Sequence, residues 1–362
     1  MRLLIMREIE FTNTKEKVVL KFFDRTSDIF NDLEGKKCFF ICDANVLSAH
    51  PSMASWLDES KAITILLDQP EAQKNLESYK KIIEALKKHN FTRKDYLIGL
   101  GGGATTDLAG FVAATYMRGM RFIQIPTSLL GQVDASVGGK TAINFDGIKN
   151  FVGSFYNPEQ IIINTEFLSS LSEQEFLNGL GEVIKHAIIS SEESLNEIFD
   201  EKSAIVSREP ETLSQIIDNS IAVKESIVSE DFNETGKRKF LNFGHTFAHG
   251  IEYANRMQPI LHGHAVVIGM LMASTYSEHK GMLDAADLEK IKQAIGSFNY
   301  DFSNINLDVE TIVEGMKSDK KNQSEKIALI LLQGIGNPVL HEEENIENLT
   351  NFIRDFTENF EK

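Results

Sequence analysis

The stretch that most constrains this chain reads Leu97-Ile-Gly-Leu-Gly-Gly-Gly-Ala-Thr-Thr-Asp107-Leu-Ala-Gly110. An apolar run enters it, three consecutive glycines turn it, and a polar-then-apolar segment leaves it. That order predicts a strand over 96–100 feeding a helix over 105–117 through a glycine turn. Such a turn lets backbone N–H groups approach a phosphate or pyrophosphate at the helix N-terminus. Gly99-x-Gly101-x-x-Ala104 also fits the dinucleotide fingerprint. The fingerprint wants an acidic residue about twenty positions on, where this chain has Gly119-Met-Arg-Phe. A dinucleotide seated here must have its ribose held from elsewhere.

The flanking pattern extends this into an α/β unit. Residues 1–50 read as strands, with Val18-Val-Leu20 and the run Cys38-Phe-Phe-Ile-Cys-Asp43. Asp43 and Asn45 fall at a strand end, where polar side chains face the ligand crevice of open α/β sheets. Another apolar run covers 62–67, and a helix is predicted from Lys74 to His89 with Leu76, Tyr79, Ile82, Ile83 and Leu86 on one stripe. Strands at 121–126 and 160–164 complete an alternation that indicates a mostly parallel sheet with covering helices. Past about residue 165 the spacing turns helical, with only Lys326–Leu332 β-like near the end. The acidic tail 341–362 carries Leu349, Phe352, Ile353 and Phe356 at helical spacing. A length of 362 residues suits roughly two domains, expected here as 1–165 and 166–362.

Charge and composition narrow the partners. A net charge of −16 argues against nucleic acid. The glycine-rich middle, 98–150, is locally different, with Arg118, Arg121, Lys140 and Lys149 against Asp107, Asp134 and Asp146, which suits a small anion. No stretch approaches the roughly eighteen apolar residues of a membrane span, and the apolar run at Met1–Arg7 is too short for a signal peptide. The expectation is a cytoplasmic protein without a membrane partner. Cys38 and Cys42 have neither C-x-x-C spacing nor a second pair, so they read as buried reduced thiols.

Two regions carry chemistry beyond the glycine turn. The first is Pro126-Thr-Ser-Leu-Leu-Gly-Gln-Val-Asp134-Ala-Ser-Val-Gly138-Gly-Lys140-Thr, followed by Lys149-Asn150. Gly138-Gly-Lys-Thr141 resembles the tail of a P-loop, but the position five before Gly139 is Asp134 rather than glycine, so an NTPase is rejected. What remains is a carboxylate, two lysines and an amide on glycine-loosened backbone, and lysine suits an anionic oxygen. The second region holds four of the nine histidines: His245, His249, His262 and His264. His245 and His249 share a helix face at i,i+4, but H-E-x-x-H is not met. A catalytic divalent site wants about three protein ligands. Gly181-Glu182-Val-Ile-Lys185 places a carboxylate and an ammonium one turn apart, either as a third ligand or as an ordinary surface ion pair.

Taken together these residues resemble the 3-dehydroquinate synthase family, from about Asp43 to Asn322. The motifs are Gly101-Gly-Gly-x-x-x-Asp107-x-x-Gly110, Met117-Arg118-Gly119, Pro126-Thr-Ser-Leu-Leu, Val133-Asp134-x-Ser-Val-Gly-Gly-Lys140, Lys149-Asn150, Gly181-Glu-Val-Ile-Lys185, Asn242-Phe-Gly-His-Thr-Phe-x-His249, Leu261-His-Gly263 and Asp319-Lys-Lys321. The resemblance implies an N-terminal Rossmann-like NAD-binding α/β domain followed by a mainly α-helical metal-binding domain, a homodimer, NAD, and a zinc or cobalt ion. By matching position it implies Glu182, His245 and His262 as metal ligands. It implies NAD against Gly102, Gly103, Asp107, Thr127, Ser128 and Lys149, with Phe167 and Ser170 further along, and the adenosine side held by Asp43, Asn45, Glu71 and Lys74. The acidic residue missing after the glycine turn would then precede it. The implied substrate contacts are Arg118, Asp134, Lys140, Asn150, Lys185, Lys224, Arg238, Asn242, His249 and a lysine of Lys320-Lys321, with Glu234 in proton transfer. His264 departs from the family, which usually has glutamate there, and offers a spare metal ligand or a supporting contact; Ser170 replaces a threonine.

The implied reaction takes 3-deoxy-arabino-heptulosonate 7-phosphate to 3-dehydroquinate and phosphate. Transient oxidation by NAD acidifies a neighbouring C–H, phosphate is eliminated, the hydride returns, the ring opens and an intramolecular aldol closes a carbocycle. His249 suits a proton carrier. Two rival readings are another sugar phosphate cyclase, disfavoured by Arg238 and Asn242, and a glycerol dehydrogenase type, which usually has aspartate at the Glu182 position and lacks Gly-Gly-Lys140. A non-enzymatic NAD-binding regulator would leave Glu182, His245 and His262 without a joint purpose.

Overall fold

The computed structural model describes residues 3–11, 16–318 and 326–360. The first part of the chain builds strands β1 (Leu3–Phe11), β2 (Glu16–Phe23), β3 (Cys38–Asp43), β4 (Ile63–Leu67), β5 (Tyr96–Gly101), β6 (Arg121–Pro126), β7 (Lys140–Phe145), β8 (Ile148–Phe155) and β9 (Gln160–Asn164). Between them lie helices α1 (Thr26–Leu33), α2 (Ala44–Ala49), α3 (Pro51–Glu59), α4 (Pro70–Gln73), α5 (Leu76–Lys88) and α6 (Gly103–Thr115). Seven strands form one sheet in the order β1-β2-β9-β6-β5-β3-β4. Only the β1–β2 edge pair is antiparallel; the other pairs are parallel. β5 sits inside the sheet and is buried along its whole length, which is why it reads as an uninterrupted apolar run.

Each face of the sheet has its own core. Leu97 and Phe39 pack with Ile82, Leu86, Leu108 and Val112 of α5 and α6 on one side. Ile98, Phe40 and Cys42 pack with Ile29, Leu33, Met53 and Leu57 of α1 and α3 on the other. Burial pushes the Cys42 thiol up, and the Cys38 thiol to about 12, so both are inert reduced thiols. Small residues let α6 approach closely: a Cβ on Gly99 would lie 2.8 Å from the Ala109 Cβ, and one on Gly110 would lie 2.3 Å from the Thr141 Cγ2.

The remaining helices are α7 (Glu173–Ser190), α8 (Glu192–Asp200), α9 (Lys202–Val206), α10 (Pro210–Glu230), α11 (His245–Ala254), α12 (His262–His279), α13 (Ala285–Gly296), α14 (Val309–Ser318) and α15 (Ile346–Asn359), with an antiparallel hairpin of β10 (Ile327–Leu332) and β11 (Pro338–Glu343). Among the described residues no helix is long and apolar enough to cross a membrane. The chain divides into two compact units, Met1–Phe176 with Leu213–Phe232, and Leu177–Thr212 with Asn233–Lys362. This differs from the expected partition at 165/166 in two segments, since the first unit runs on to Phe176 and also takes in 213–232. Residues 213–232 join the sheet unit because Arg7 pairs with Asp218 at 2.9 Å and also with Glu225, and Lys224 Nζ lies 2.5 Å from Asp134 Oδ1.

Several local expectations are corrected. The predicted helix from Lys74 starts instead at Leu76, because the Asn75 side chain caps it by accepting from the Ser78 N–H at 3.0 Å. The helix after the glycine turn starts at Gly103, so the turn itself supplies its first residues. Residues 1–50 hold α1 and α2 as well as strands, and the segment around Lys140–Phe155, read as loosened backbone, is a paired hairpin. A second strand, β11, accompanies β10.

Candidate cofactor cradle and metal centre

In the sheet unit the glycine turn lies at the carboxyl end of β5, where open α/β sheets bind ligands. Gly102 is the N-cap of α6 and has no side chain to satisfy the first N–H groups of the helix. The close quarters explain the glycines. A Cβ at Gly101 would stand 2.6 Å from Thr105 Oγ1, one at Gly102 would face Ser128 Oγ at 3.4 Å, and one at Gly103 would meet the Ala135 Cβ at 3.2 Å. The Thr127 N–H donates to the Gly101 carbonyl at 3.0 Å, and the Gly131 N–H donates to Ser128 Oγ at 3.1 Å, so the loop after β6 is pinned beside the turn. A bare backbone cradle with exposed N–H dipoles is a fit for a pyrophosphate.

The surroundings are polar and tied together. Asp43 ends β3 and N-caps α2, its Oδ1 accepting from the Asn45 N–H at 2.9 Å. Burial pushes the Asp43 carboxyl up, partly offset by that hydrogen bond. Lys74 is buried and donates to Asp107 Oδ2 at 2.6 Å. Burial raises the Asp107 carboxyl and the Lys74 ammonium pulls it back, while Glu71 and Asp134 add to the rise. Asn144 links Glu71 to the hairpin: its Nδ2 donates to Glu71 Oε1 at 2.9 Å, and its Oδ1 accepts from the Asn150 N–H at 2.9 Å. Lys149 and Lys140 are exposed on β8 and β7. Ser170 lies 3.0 Å from His50 Nε2.

Three candidate residues sit on strained backbone. Arg118, Asn150 and Glu234 have φ of 65°, 54° and 60°, which non-glycine residues rarely adopt. Arg118 lies between Met117 and Gly119, also at positive φ, and its exposed guanidinium makes no ion pair among the described residues. Lys224 is buried and also donates to the Asp134 carbonyl at 2.5 Å.

In the helical unit, three helices are brought together by glycines. A Cβ on Gly263 would lie 1.9 Å from the Asn178 carbonyl oxygen, and one on Gly181 would lie 2.8 Å from the Gly263 oxygen. Asn178 Oδ1 accepts from the Gly263 N–H at 2.7 Å, fixing the start of α12 on α7. Gly244 caps α11 in the left-handed conformation, and a Cβ on Gly269 would stand 2.2 Å from its carbonyl, so α11 crosses α12 as closely.

Those crossings place Glu182 of α7, His245 of α11 and His262 of α12 around one point. Glu182 Oε1 lies 3.6 Å from each of the two Nε2 atoms, and the three ligand atoms are all within 4.8 Å of one another. His245 Nδ1 is 3.2 Å from the Phe243 carbonyl, and His262 Nδ1 is 2.9 Å from Glu252 Oε1. Acceptors at both Nδ1 atoms call for N–H there, which leaves the two Nε2 atoms facing inward as the ligand atoms. Glu182 Oε1 is buried and makes no hydrogen bond, while Oε2 accepts from Lys185. Three ligand atoms that converge with no hydrogen bond among them fit a cation that takes the place of the His262 Nε2 proton. Ligands about 2.1 Å from a tetrahedral ion lie about 3.4 Å apart, close to the observed spacing.

The electrostatics agree with that fit. Burial alone would raise the Glu182 carboxyl, but Lys185 and the two imidazoles hold it well below the usual range. Burial, then Lys185, pushes His245 well below its ordinary value, keeping it neutral. His262 is lowered by burial, yet the Glu182 and Glu252 carboxylates beside it lift it to about 10 without a metal, so a bound cation must displace its Nε2 proton. His249 follows one turn after His245, their ring centroids 5.8 Å apart. Arg238 is 1% exposed, and Asn242 Nδ2 donates to Glu234 Oε1 at 3.1 Å.

Residues 64–178 match the family described as 3-dehydroquinate synthase N-terminal, and residues 179–322 match 3-dehydroquinate synthase C-terminal. The chain belongs to the 3-dehydroquinate synthase family. The 3-dehydroquinate synthase of Clostridium tetani is 37% identical over 97% of this chain and 95% of its own length. That of Alkaliphilus metalliredigens is 37% identical over 83% of this chain and 85% of its own. Among solved structures, a 2-deoxy-scyllo-inosose synthase with carbaglucose-6-phosphate, NAD+ and Co2+ superposes with a TM-score of 0.84 at 23% identity, covering 97% of this chain and all (100%) of that one. A 2-epi-5-epi-valiolone synthase from Streptomyces hygroscopicus with NAD+ and Zn2+ gives 0.82 at 22% identity, covering 99% and 100%. A probable glycerol dehydrogenase from Sinorhizobium meliloti is more distant, at 0.62 and 14% identity, covering 94% and 98%. These structures share the fold, a parallel-sheet α/β unit with a helical unit.

Against that family pattern, the structure pairs Lys74 with Asp107, Asp134 with Lys224, Glu234 with Asn242, and gathers Glu182, His245 and His262. The Phe167 ring is fully buried in the sheet's core, edge-on to His50. His264 packs edge-on to Tyr300 at 5.3 Å and lies outside the three-residue cluster. Lys320 and Lys321 lie outside the described residues. Sequence reasoning missed Glu252, Asn144 and Asn178. Glu252 stands seven residues after His245, two helical turns on, a spacing that signals a shared face. Asn144 and Asn178 give no local signal for their long-range bonds, to Glu71 and Gly263.

Proposed function

We propose that this chain converts 3-deoxy-D-arabino-heptulosonate 7-phosphate to 3-dehydroquinate and phosphate, as a carbon–oxygen lyase of the shikimate pathway that carries NAD and a zinc or cobalt ion. The observation that carries this reading is the cluster of Glu182 with His245 and His262, three converging ligand atoms, in a chain similar to 3-dehydroquinate synthases over nearly its whole length. When bound, the metal supplies Lewis-acid polarisation of substrate hydroxyls and NAD supplies a reversible hydride acceptor.

The chain's own residues do the rest. Glu182, His245 and His262 hold the metal, and Lys185 keeps Glu182 ionised. The α6 N–H groups at Gly102 and Gly103 seat the pyrophosphate, with Thr127, Ser128, Lys149 and Ser170 alongside. Asp43 keeps an oxygen for a ribose hydroxyl, and Asn45, Glu71 and Lys74 shape the adenosine side, the Lys74–Asp107 pair setting its wall. Arg118, Lys140, Asn150, Lys224 and Lys320 bind and orient the anionic ends of the substrate, with Asp134 positioning Lys224. Arg238 and Asn242 take the carboxylate. His249 and Glu234 move protons. The working form is a cytoplasmic homodimer.

The test mixes the purified protein with zinc, NAD and the heptulosonate phosphate, and follows phosphate and NADH. Phosphate should accumulate stoichiometrically with consumed substrate while net NADH stays at zero. Steady NADH formation with glycerol, and no phosphate, would overturn the reading.

A further inference from the structure

The helical unit holds a second concavity, made of none of the residues discussed as cofactor, metal or substrate contacts. It is a cleft of about 810 Å³ between α12, the end of α13 and α15. That size falls within the range of small-molecule sites. One wall carries Phe298, Tyr300 and Phe302; the other carries Phe352 and Phe356 of α15 and Phe360, which follows its last residue. The rings of Tyr300 and Phe302 are parallel within 3° at 5.8 Å, and Phe302 meets Phe360 at 5.6 Å, closing one end. A further aromatic ring placed against such a wall finds the offset and edge-on contacts that aromatic pairs prefer.

The rim is charged on both sides. Lys292, Glu278 and Asp355 line the cleft, and none of their side-chain charges has an ion pair among the described residues. An ammonium and two carboxylates left without countercharges at the mouth of an aromatic slot complement a molecule bearing both signs. The cleft is also wired to the metal-holding helices. Tyr300 donates its hydroxyl to the Leu177 carbonyl on α7 at 3.0 Å, five residues before Glu182. Its ring faces the edge of His264, two residues after His262. Burial and then the Glu182 charge push the Tyr300 phenol up, so it stays a neutral donor.

We propose that this cleft binds a small aromatic zwitterion, its ring among Tyr300, Phe302 and Phe356, its carboxylate on Lys292 and its ammonium on Glu278 and Asp355, and that its occupancy alters metal affinity through Tyr300. The binding site stands independently of the proposed reaction; the coupling rests on the proposed metal centre. Ligand and metal must shift each other's affinity by the same factor if Tyr300 links them.

The test titrates L-phenylalanine into the zinc-loaded full chain by calorimetry, with L-leucine, phenylacetate and phenethylamine as probes lacking the ring, the ammonium and the carboxylate. One saturable site per chain is expected for L-phenylalanine, with each of the other three weaker by about tenfold or more. Lys292→Glu, an exposed change, and Phe356→Leu, which keeps an apolar side chain, should each weaken L-phenylalanine by about tenfold with unchanged thermal midpoints. No saturable binding, equal binding of L-leucine, or equal binding by both variants would overturn the site. A loss of dimer mass in Lys292→Glu without L-phenylalanine binding would assign the cleft to a second copy of the chain and overturn it too. Zinc affinity, read by chelator competition with and without saturating L-phenylalanine, should differ several-fold; equal affinities would overturn the coupling. Phosphate release is read separately, so failure of the reaction and failure of the site are distinguishable.

Discussion

At the scale of single residues, Glu252 does most to make the metal centre specific. His245 has its Nδ1 fixed by a backbone carbonyl, which a substitution cannot remove, whereas His262 depends on the Glu252 carboxylate at 2.9 Å. Removing that acceptor frees the imidazole to rotate and to take the wrong tautomer. Losing such an outer partner costs about 10–100-fold in metal affinity. Glu252→Ala should therefore weaken zinc binding by about that factor, measured by competition with a chromophoric chelator, while circular dichroism stays unchanged. Affinity equal to the parent's would show that His262 is oriented by packing alone. The residue types at the centre were legible in the sequence, because histidines and a carboxylate among glycines have few joint uses. Glu252 was not, since a glutamate on a helix is ordinary until its partner is known.

At the scale of elements, the hairpin β10–β11 is locked to α12 through one carboxylate. Glu343 Oε2 accepts from the Tyr276 hydroxyl at 2.6 Å, Lys280 Nζ at 2.9 Å and lies 3.2 Å from His341 Nε2, while Oε1 accepts from the Asn345 N–H at 2.9 Å. Burial would raise this carboxyl, but those donors outweigh it and bring it from 4.5 to about 2. A depressed folded value means that the stabilisation is fully present above pH 4.5 and is lost as pH falls toward about 2. Glu343→Gln should cost on the order of 2 kcal/mol at neutral pH. In denaturant titrations its deficit should shrink as pH falls through that window; a deficit independent of pH would mean the amide is tolerated or that packing alone was lost.

A second element-scale test concerns the helix crossing. Gly263→Ala drives a Cβ into backbone at Asn178, which cannot yield as a side-chain tip can. It should destabilise by about 1–3 kcal/mol and weaken zinc binding, because α12 carries His262. An unchanged unfolding midpoint would show that the crossing has slack. The elements around these tests differ in how far the sequence revealed them. β5 and α6 were legible because a buried parallel strand and a glycine turn are written in consecutive residues. β8 was not: it is exposed over most of its length and held by backbone pairing to β7, so its side chains alternate with nothing. α10 read as a helix, but its membership of the sheet unit depends on Arg7 and Asp134, far off in sequence.

At the scale of the whole molecule, the assignment of two cofactors to two units has a thermodynamic signature. A ligand that binds only the folded chain stabilises it by about 2.7 kcal/mol at one hundred times its dissociation constant. NAD and zinc should each raise the thermal midpoint, and each increment should vanish with its own site. Gly102→Ala suits the cradle. Gly102 has φ −70° and ψ −176°, a conformation open to any residue, and the new Cβ would sit 3.4 Å from Ser128 Oγ, so the fold should tolerate it. The same methyl occupies the surface that a pyrophosphate needs, which should cut NAD affinity by about tenfold or more. His262→Ala removes a metal ligand from α12 and leaves the cradle intact. Gly102→Ala should therefore lose most of the NAD increment and keep that of zinc, and His262→Ala the reverse. If either variant lost both increments, or neither, the division of labour between the sheet unit and the helical unit would be wrong.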